Sequence, residues 1–207
     1  MVRTPVSFPE RVGGRLCLDF VNTVDPRRAG ESRDYLGDYA DVLDWFSAVD
    51  VELPRSVSWL RRRTRERPQE AADAFRRAIA MREALFALVN ASRLGDPVRR
   101  RDLVELNEAL VDSAGHRFLV PAARGGVQEA WRTGDSLTQV LWPVAIDAWD
   151  LLTEPELGQV RACPVDAGGC GWLFLDTSRA GNRRWCDMRT CGNRAKVRAH
   201  YVRAAGA

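Results

Sequence analysis

The sequence predicts a mainly α protein with a small β component (α+β), and three observations carry that reading. Hydrophobic residues make up 45% and charged residues 29% of the 207-residue chain, an ordinary globular balance that excludes long disorder. Most of residues 38–152 place apolar side chains at helical spacing. The last quarter differs in character. It holds four of the five cysteines, and residues 161–207 carry nine basic side chains against three acidic, a net of +6, where residues 1–160 carry −3. Two domains are therefore expected: a helical N-terminal domain with a β-hairpin insertion over residues 1–160, and a small β-hairpin-plus-helix unit over residues 161–207.

Residues 14–24, GRLCLDFVNTV, read as a first buried helix, and the charged, turn-rich stretch 25–34 reads as a loop. Asp38 can cap a helix carrying Leu43, Trp45, Phe46 and Val49. A further helix is predicted over 54–66 with Pro54 in its first turn. Pro68 opens the clearest helix, in which Phe75, Ile79, Leu85, Phe86 and Val89 share a stripe, and Gly95-Asp96-Pro97 stops it. Leu103, Leu106, Leu110 and Val111 mark the next helix. Between 116 and 134, two short runs separated by turn formers predict a β-hairpin. Asp135 or Ser136 then caps a largely apolar helix ending near Leu152. No apolar run approaches the roughly 20 residues of a membrane span, and residues 1–20 lack the apolar core of a signal peptide, so a cytoplasmic protein without membrane partners is expected.

The cysteines fall into two pairs, Cys163 with Cys170 and Cys186 with Cys191. Between them runs WLFLD (172–176), a β-like stretch, and after Cys191 comes a helical sequence. Two close pairs separated by a short β element suit a tetrahedral thiolate site, each pair spanning one edge. Pro164 and glycines 168, 169 and 171 let the backbone wrap tightly. Zinc is the favoured reading. Disulfides, unlinked buried thiols and an iron–sulfur or redox role are the alternatives, and disulfides lack the oxidising compartment they need. Cys17 stands apart as a small buried side chain.

These residues also carry a resemblance. WLFLDTSRAGNRRWCDMRTCGNRAKVRAHYVR (172–203) resembles the zinc finger named for its Cys-Gly-Asn-Arg tetrad, here Cys191-Gly192-Asn193-Arg194, and GGRLCLDFVNTVD (13–25) resembles the ABATE domain that accompanies it. The resemblance implies a treble-clef-like finger with one structural Zn²⁺ on Cys163, Cys170, Cys186 and Cys191, and a stress-induced transcription regulator that binds DNA. The spacer PVDAGG in the first pair is longer than the family pattern, so that knuckle is expected to bulge.

On the helix after Cys191, Arg194, Arg198 and Tyr201 share one face by 100° steps, Ala195, Ala199 and Val202 form an apolar stripe, and Lys196, His200 and Arg203 lie beyond it. Arg183, Arg184, Arg189, Arg194, Lys196 and Arg198 are the candidate nucleic-acid contacts. Asp176 is expected to order the loop after the β run, and Trp172 and Trp185 to form the finger's core. Asp19, Asn22 and Thr23 interrupt an apolar segment; they read as an internal polar network or, alternatively, as a pocket for a small effector. The N-terminal domain could also mediate a homodimer. Catalysis is not expected, because neither His116 nor His200 sits in a nucleophile or metal-ligand pattern and four sulfur ligands leave zinc no open position. The alternative to DNA binding is a zinc-stabilised protein-interaction module.

Overall fold

The structure, a computed structural model, describes residues 6–27, 30 and 32–205, with only the backbone described for 199, 200 and 202–205. In chain order the elements are α1 (Leu16–Val21), β1 (Val24–Asp25), β2 (Arg33–Asp34), α2 (Tyr39–Val49), α3 (Val57–Glu66), α4 (Pro68–Leu94), α5 (Arg100–Ala114), β3 (Arg117–Pro121), β4 (Val127–Trp131), a 3-10 turn (Leu137–Leu141), α6 (Trp142–Thr153), β5 (Val160–Ala162), β6 (Leu173–Leu175) and α7 (Asn193–Ala205). The three sheets are two-stranded antiparallel ribbons.

α4 is the axis of the helical bundle, and α1, α2 and α5 pack around it. It starts at Pro68 and ends on Gly95 in the left-handed conformation, as expected from the sequence. Its buried stripe runs through Ala71, Ala74, Ala78, Met81, Leu85 and Leu88. Small side chains on that line let neighbouring helices approach closely, and the larger Phe75, Ile79 and Phe86 pack at the edges of the core. Asp38 caps α2 reciprocally with Asp41.

Three element boundaries differ from expectation. α1 stops at Val21 rather than continuing to 24, because Asn22 and Thr23 turn their side chains to other partners and residues 24–25 pair with 33–34 as a short hairpin. α3 starts at Val57, capped by the Ser56 hydroxyl accepting from Trp59 N at 3.3 Å, which leaves Pro54 outside the helix. Ser136, not Asp135, makes the cap before α6, and one 3-10 turn intervenes before Trp142. The β3–β4 hairpin pairs Arg117 with Trp131 through Pro121 with Val127.

The β5–β6 hairpin pairs Val160 with Leu175 and Ala162 with Leu173. Alternation sends Val160, Leu173 and Leu175 into the core of the bundle, while Phe174 faces the cysteines. No helix among the described residues is long and apolar enough to cross a membrane.

Candidate metal centre and basic surface

The first knuckle grows directly out of the β5–β6 hairpin. Cys163 N donates to Trp172 O at 2.8 Å and Gly171 N donates to Cys163 O at 3.1 Å, so the ladder continues past the strand ends. The spacer between the two cysteines loops out and closes on itself, Gly168 N donating to Val165 O and Gly169 N to Pro164 O. The expected bulge is this loop. A Cβ at Gly169 would lie 2.6 Å from both Cys163 Sγ and Pro164 O, so only glycine lets the backbone pass against the ligand sulfur.

The second knuckle is ordered by polar side chains. Asp176 accepts from Ser178 N and Oγ and from Arg183 N at 2.8 Å, as a loop organiser should. The Ser178 hydroxyl holds its carboxyl below the usual carboxylate range. Asp187 accepts from Thr190 N and Oγ1, starting a π-helical turn (Met188–Gly192) that carries Cys191 into the N-terminus of α7. Trp172, Phe174 and the half-buried Trp185 close the small core around the thiols.

All four sulfurs lie within 4.8 Å of one another, and all four cysteines are buried. Cys170 Sγ and Cys186 Sγ are 3.4 Å apart, too far for a disulfide, and all four are free thiols. Zinc–sulfur bonds of about 2.3 Å imply tetrahedron edges of about 3.8 Å, which this spacing fits. Hydrogen bonding to Cys170 holds the Cys163 thiol far below the usual thiol range, while the same contact pushes Cys170 far up. Four thiolates this close repel one another, and a divalent cation at their centre lets all of them ionise together. The cluster's donor set, closed geometry and burial fit one structural Zn²⁺.

Comparison with known families agrees with this geometry. A model described as "CGNR zinc finger" matches residues 159–204. A second, ABATE, described as "Putative stress-induced transcription regulator", matches residues 14–155. The chain belongs to the ABATE family. No curated protein matches it.

Within this ABATE chain the six basic candidates divide. Arg183 turns inward: its Nε donates to Trp185 O at 2.9 Å, its Nη2 donates to Cys186 O, and its guanidinium lies 4.6 Å from the Phe174 ring centroid. It is a brace for the second knuckle rather than a free cation, because the Trp185 and Cys186 carbonyls present two acceptors that the planar guanidinium spans at once. Arg189 is exposed but paired with Glu10 at 2.7 Å. Arg184, Arg194, Lys196 and Arg198 are exposed and have no carboxylate partner among the described residues. Arg184 stacks on Trp185, and Arg194 lines a cleft of about 140 Å³ beside Cys186 and Cys191, where its charge opposes that of the thiolates. The expected apolar stripe of the helix is half-buried at Ala195, while the side chains of Ala199, His200, Val202 and Arg203 lie outside the described residues.

Asp19, Asn22 and Thr23 do not come together as a pocket. Asp19 accepts from Gly13 N at 2.8 Å. The Asn22 amide makes two bonds to β6, Nδ2 donating to Leu173 O at 2.8 Å and Oδ1 accepting from Leu173 N at 3.1 Å. Thr23 Oγ1 donates to Phe20 O and accepts from the buried Arg82, whose guanidinium forks onto Asp34. Each side chain is committed to the fold, and an apolar cleft of about 540 Å³ between α5, α6 and the β3–β4 hairpin lies elsewhere. No local pattern links Asn22 to β6, since its partner lies 151 residues away. The same holds for Trp172, whose Nε1 donates to Val24 O at 2.7 Å, and for Arg27, whose N donates to Cys170 O at 2.7 Å.

Proposed function

We propose that this protein is a zinc-stabilised, DNA-binding transcription regulator that acts in the cytoplasm, with residues 161–207 as the contacting unit and residues 1–160 as a helical scaffold. The observation that carries this reading is a set of four exposed cations with no carboxylate partner among the described residues, Arg184 on the second knuckle and Arg194, Lys196 and Arg198 in the first turns of α7. Arg194 and Arg198 lie one turn apart on the same side of the helix, the spacing needed to meet successive phosphates along a groove. A zinc ion held by Cys163, Cys170, Cys186 and Cys191 would supply no chemistry beyond holding the knuckles, because four sulfurs would leave it no open position. His116 is occupied by a bond to Arg132 O and by stacking on Trp142, which supports a non-enzymatic role.

Titrating the zinc-loaded full-length protein with a pool of random duplexes at several salt concentrations tests the reading. Four phosphate contacts give a slope of log affinity against log salt of about −3.6. Arg194→Ala with Arg198→Ala should bring it to about −1.8 without changing zinc content. Arg183→Ala should weaken zinc retention and leave the slope alone. Absence of salt-sensitive binding would replace this reading with the protein-interaction module, which the exposed Met188, Val197 and Tyr201 around α7 favour.

A further inference from the structure

Nine of the thirteen exposed large apolar side chains among the described residues fall between residues 94 and 149, and the other four, Val165, Met188, Val197 and Tyr201, lie in the finger. Leu103, Val104 and Val111 belong to α5. Leu106, Asp102 and Ser113 bury its inner side, yet Val111 is 76% exposed and Val104 46% exposed. Taking Val104 as zero and stepping 100° per residue, Val111 lies at about −20°, Arg100 at about −40°, Glu108 at about +40°, Arg101 at about +60° and Asp112 at about +80°. The outer stripe thus has two valines at its centre, arginines at its N-terminal end and acids towards its C-terminal end. Arg77 of α4 lines the same groove beside Val104, Glu108 and Val111. Glu105 and Glu108 have no ion-pair partner among the described residues, and Arg101, 75% exposed, has only a loose 3.6 Å approach to Asp102. Asp112 is already engaged by Thr138 and Trp142.

From this we infer that α5 is a homodimer interface, packing antiparallel against α5 of a second copy of the chain about a two-fold axis near Leu106 and Asn107. The stripe is self-complementary only in that direction. A two-fold axis places corresponding flanks of the two helices side by side, so Arg101 of each copy lies on the flank that carries Glu108 of the other, and Val104 and Val111 pack against the other copy's valines. A parallel arrangement keeps the arginines of both copies at one end and the acids of both at the other, so opposite charges are not brought level. The inference is independent of DNA binding.

Sedimentation of the zinc-loaded full-length protein over a range of concentrations tests it. A reversible dimer is expected. Val104→Glu with Val111→Glu should leave a folded monomer, judged by unchanged helicity and zinc content. Glu108→Arg alone should weaken the dimer about tenfold, and adding Arg101→Glu should restore it, because the swapped pairs attract again. A wild-type monomer up to roughly 100 μM, where any specific interface of ordinary affinity is populated, overturns the inference. So does a dimer that survives the paired valine substitutions, or a double charge swap that restores nothing.

Discussion

Arg183 and Arg198 are the same residue type in the same basic segment, but one braces a metal knuckle while the other faces solvent. Charge patterning cannot separate them; the division depends on which carbonyls the loop leaves unpaired. Asn22 makes the same point for an uncharged group. Its carboxamide presents a donor and an acceptor to Leu173, completing the ladder of β6 where no third strand exists. With Asn22 only 3% exposed, water cannot take over those bonds. Asn22→Ala is therefore expected to cost about 1–3 kcal/mol, the penalty of leaving buried backbone groups unpaired. Chemical denaturation at equilibrium would measure it. A neutral substitution would show that Leu173 finds other partners, and a ligand-dependent thermal shift abolished by the change would return Asn22 to an effector site.

At the scale of elements, what was legible in the sequence is what local chemistry dictates. Asp38 before an apolar run, Pro68 and Gly95 at the ends of α4, and turn formers between the strands of β3–β4 all predict their elements correctly, since caps and turns are decided by a few neighbouring residues. The boundaries that moved were decided at a distance: α1 ends early because Asn22 and Thr23 answer to β6 and Arg82. The four cysteines were legible as a site because two close pairs flank a short β run, and the fold brings all four sulfurs within 4.8 Å of one another. What spacing could not show is the packing that positions them, and Gly169 is the clearest case. The 2.6 Å approach of its absent Cβ to Cys163 Sγ leaves no room for a methyl group. Gly169→Ala should displace that ligand and weaken zinc binding by about 10–100-fold, the range for disturbing a ligand's support. Competition with a chromophoric chelator reads this directly. Wild-type zinc affinity in the variant would mean that the loop 164–170 yields without moving the sulfur.

At the scale of the whole molecule, the finger and the bundle share the β5–β6 hairpin. From sequence, loss of zinc is expected to unfold residues 163–203 as a block while the N-terminal helices persist. The packing divides the finger differently. Val160, Leu173 and Leu175 belong to the bundle core, Leu175 N donates to Gly13 O at 2.8 Å, and Asn22 grips Leu173, so the strands have anchors that do not involve metal. Among the described side chains, residues 186–205 have no buried anchor of that kind: the π turn and α7 meet the rest of the protein through Cys186, Cys191, the small aromatic core around them and the exposed Arg189–Glu10 pair. Removing zinc with a chelator, or replacing Cys186 with Ser, should therefore raise amide exchange across 186–205 while 160–162 and 173–175 stay protected. The bundle should also lose some stability, because Arg27 N and Trp172 Nε1 bridge the first knuckle to the segment between α1 and α2. Hydrogen exchange resolved by segment distinguishes the cases. Unprotected strands in the stripped protein would show that the metal, and not the bundle core, holds the hairpin. Undiminished protection of 186–205 would mean that α7 is held by packing alone, and the basic surface it carries would then form without zinc.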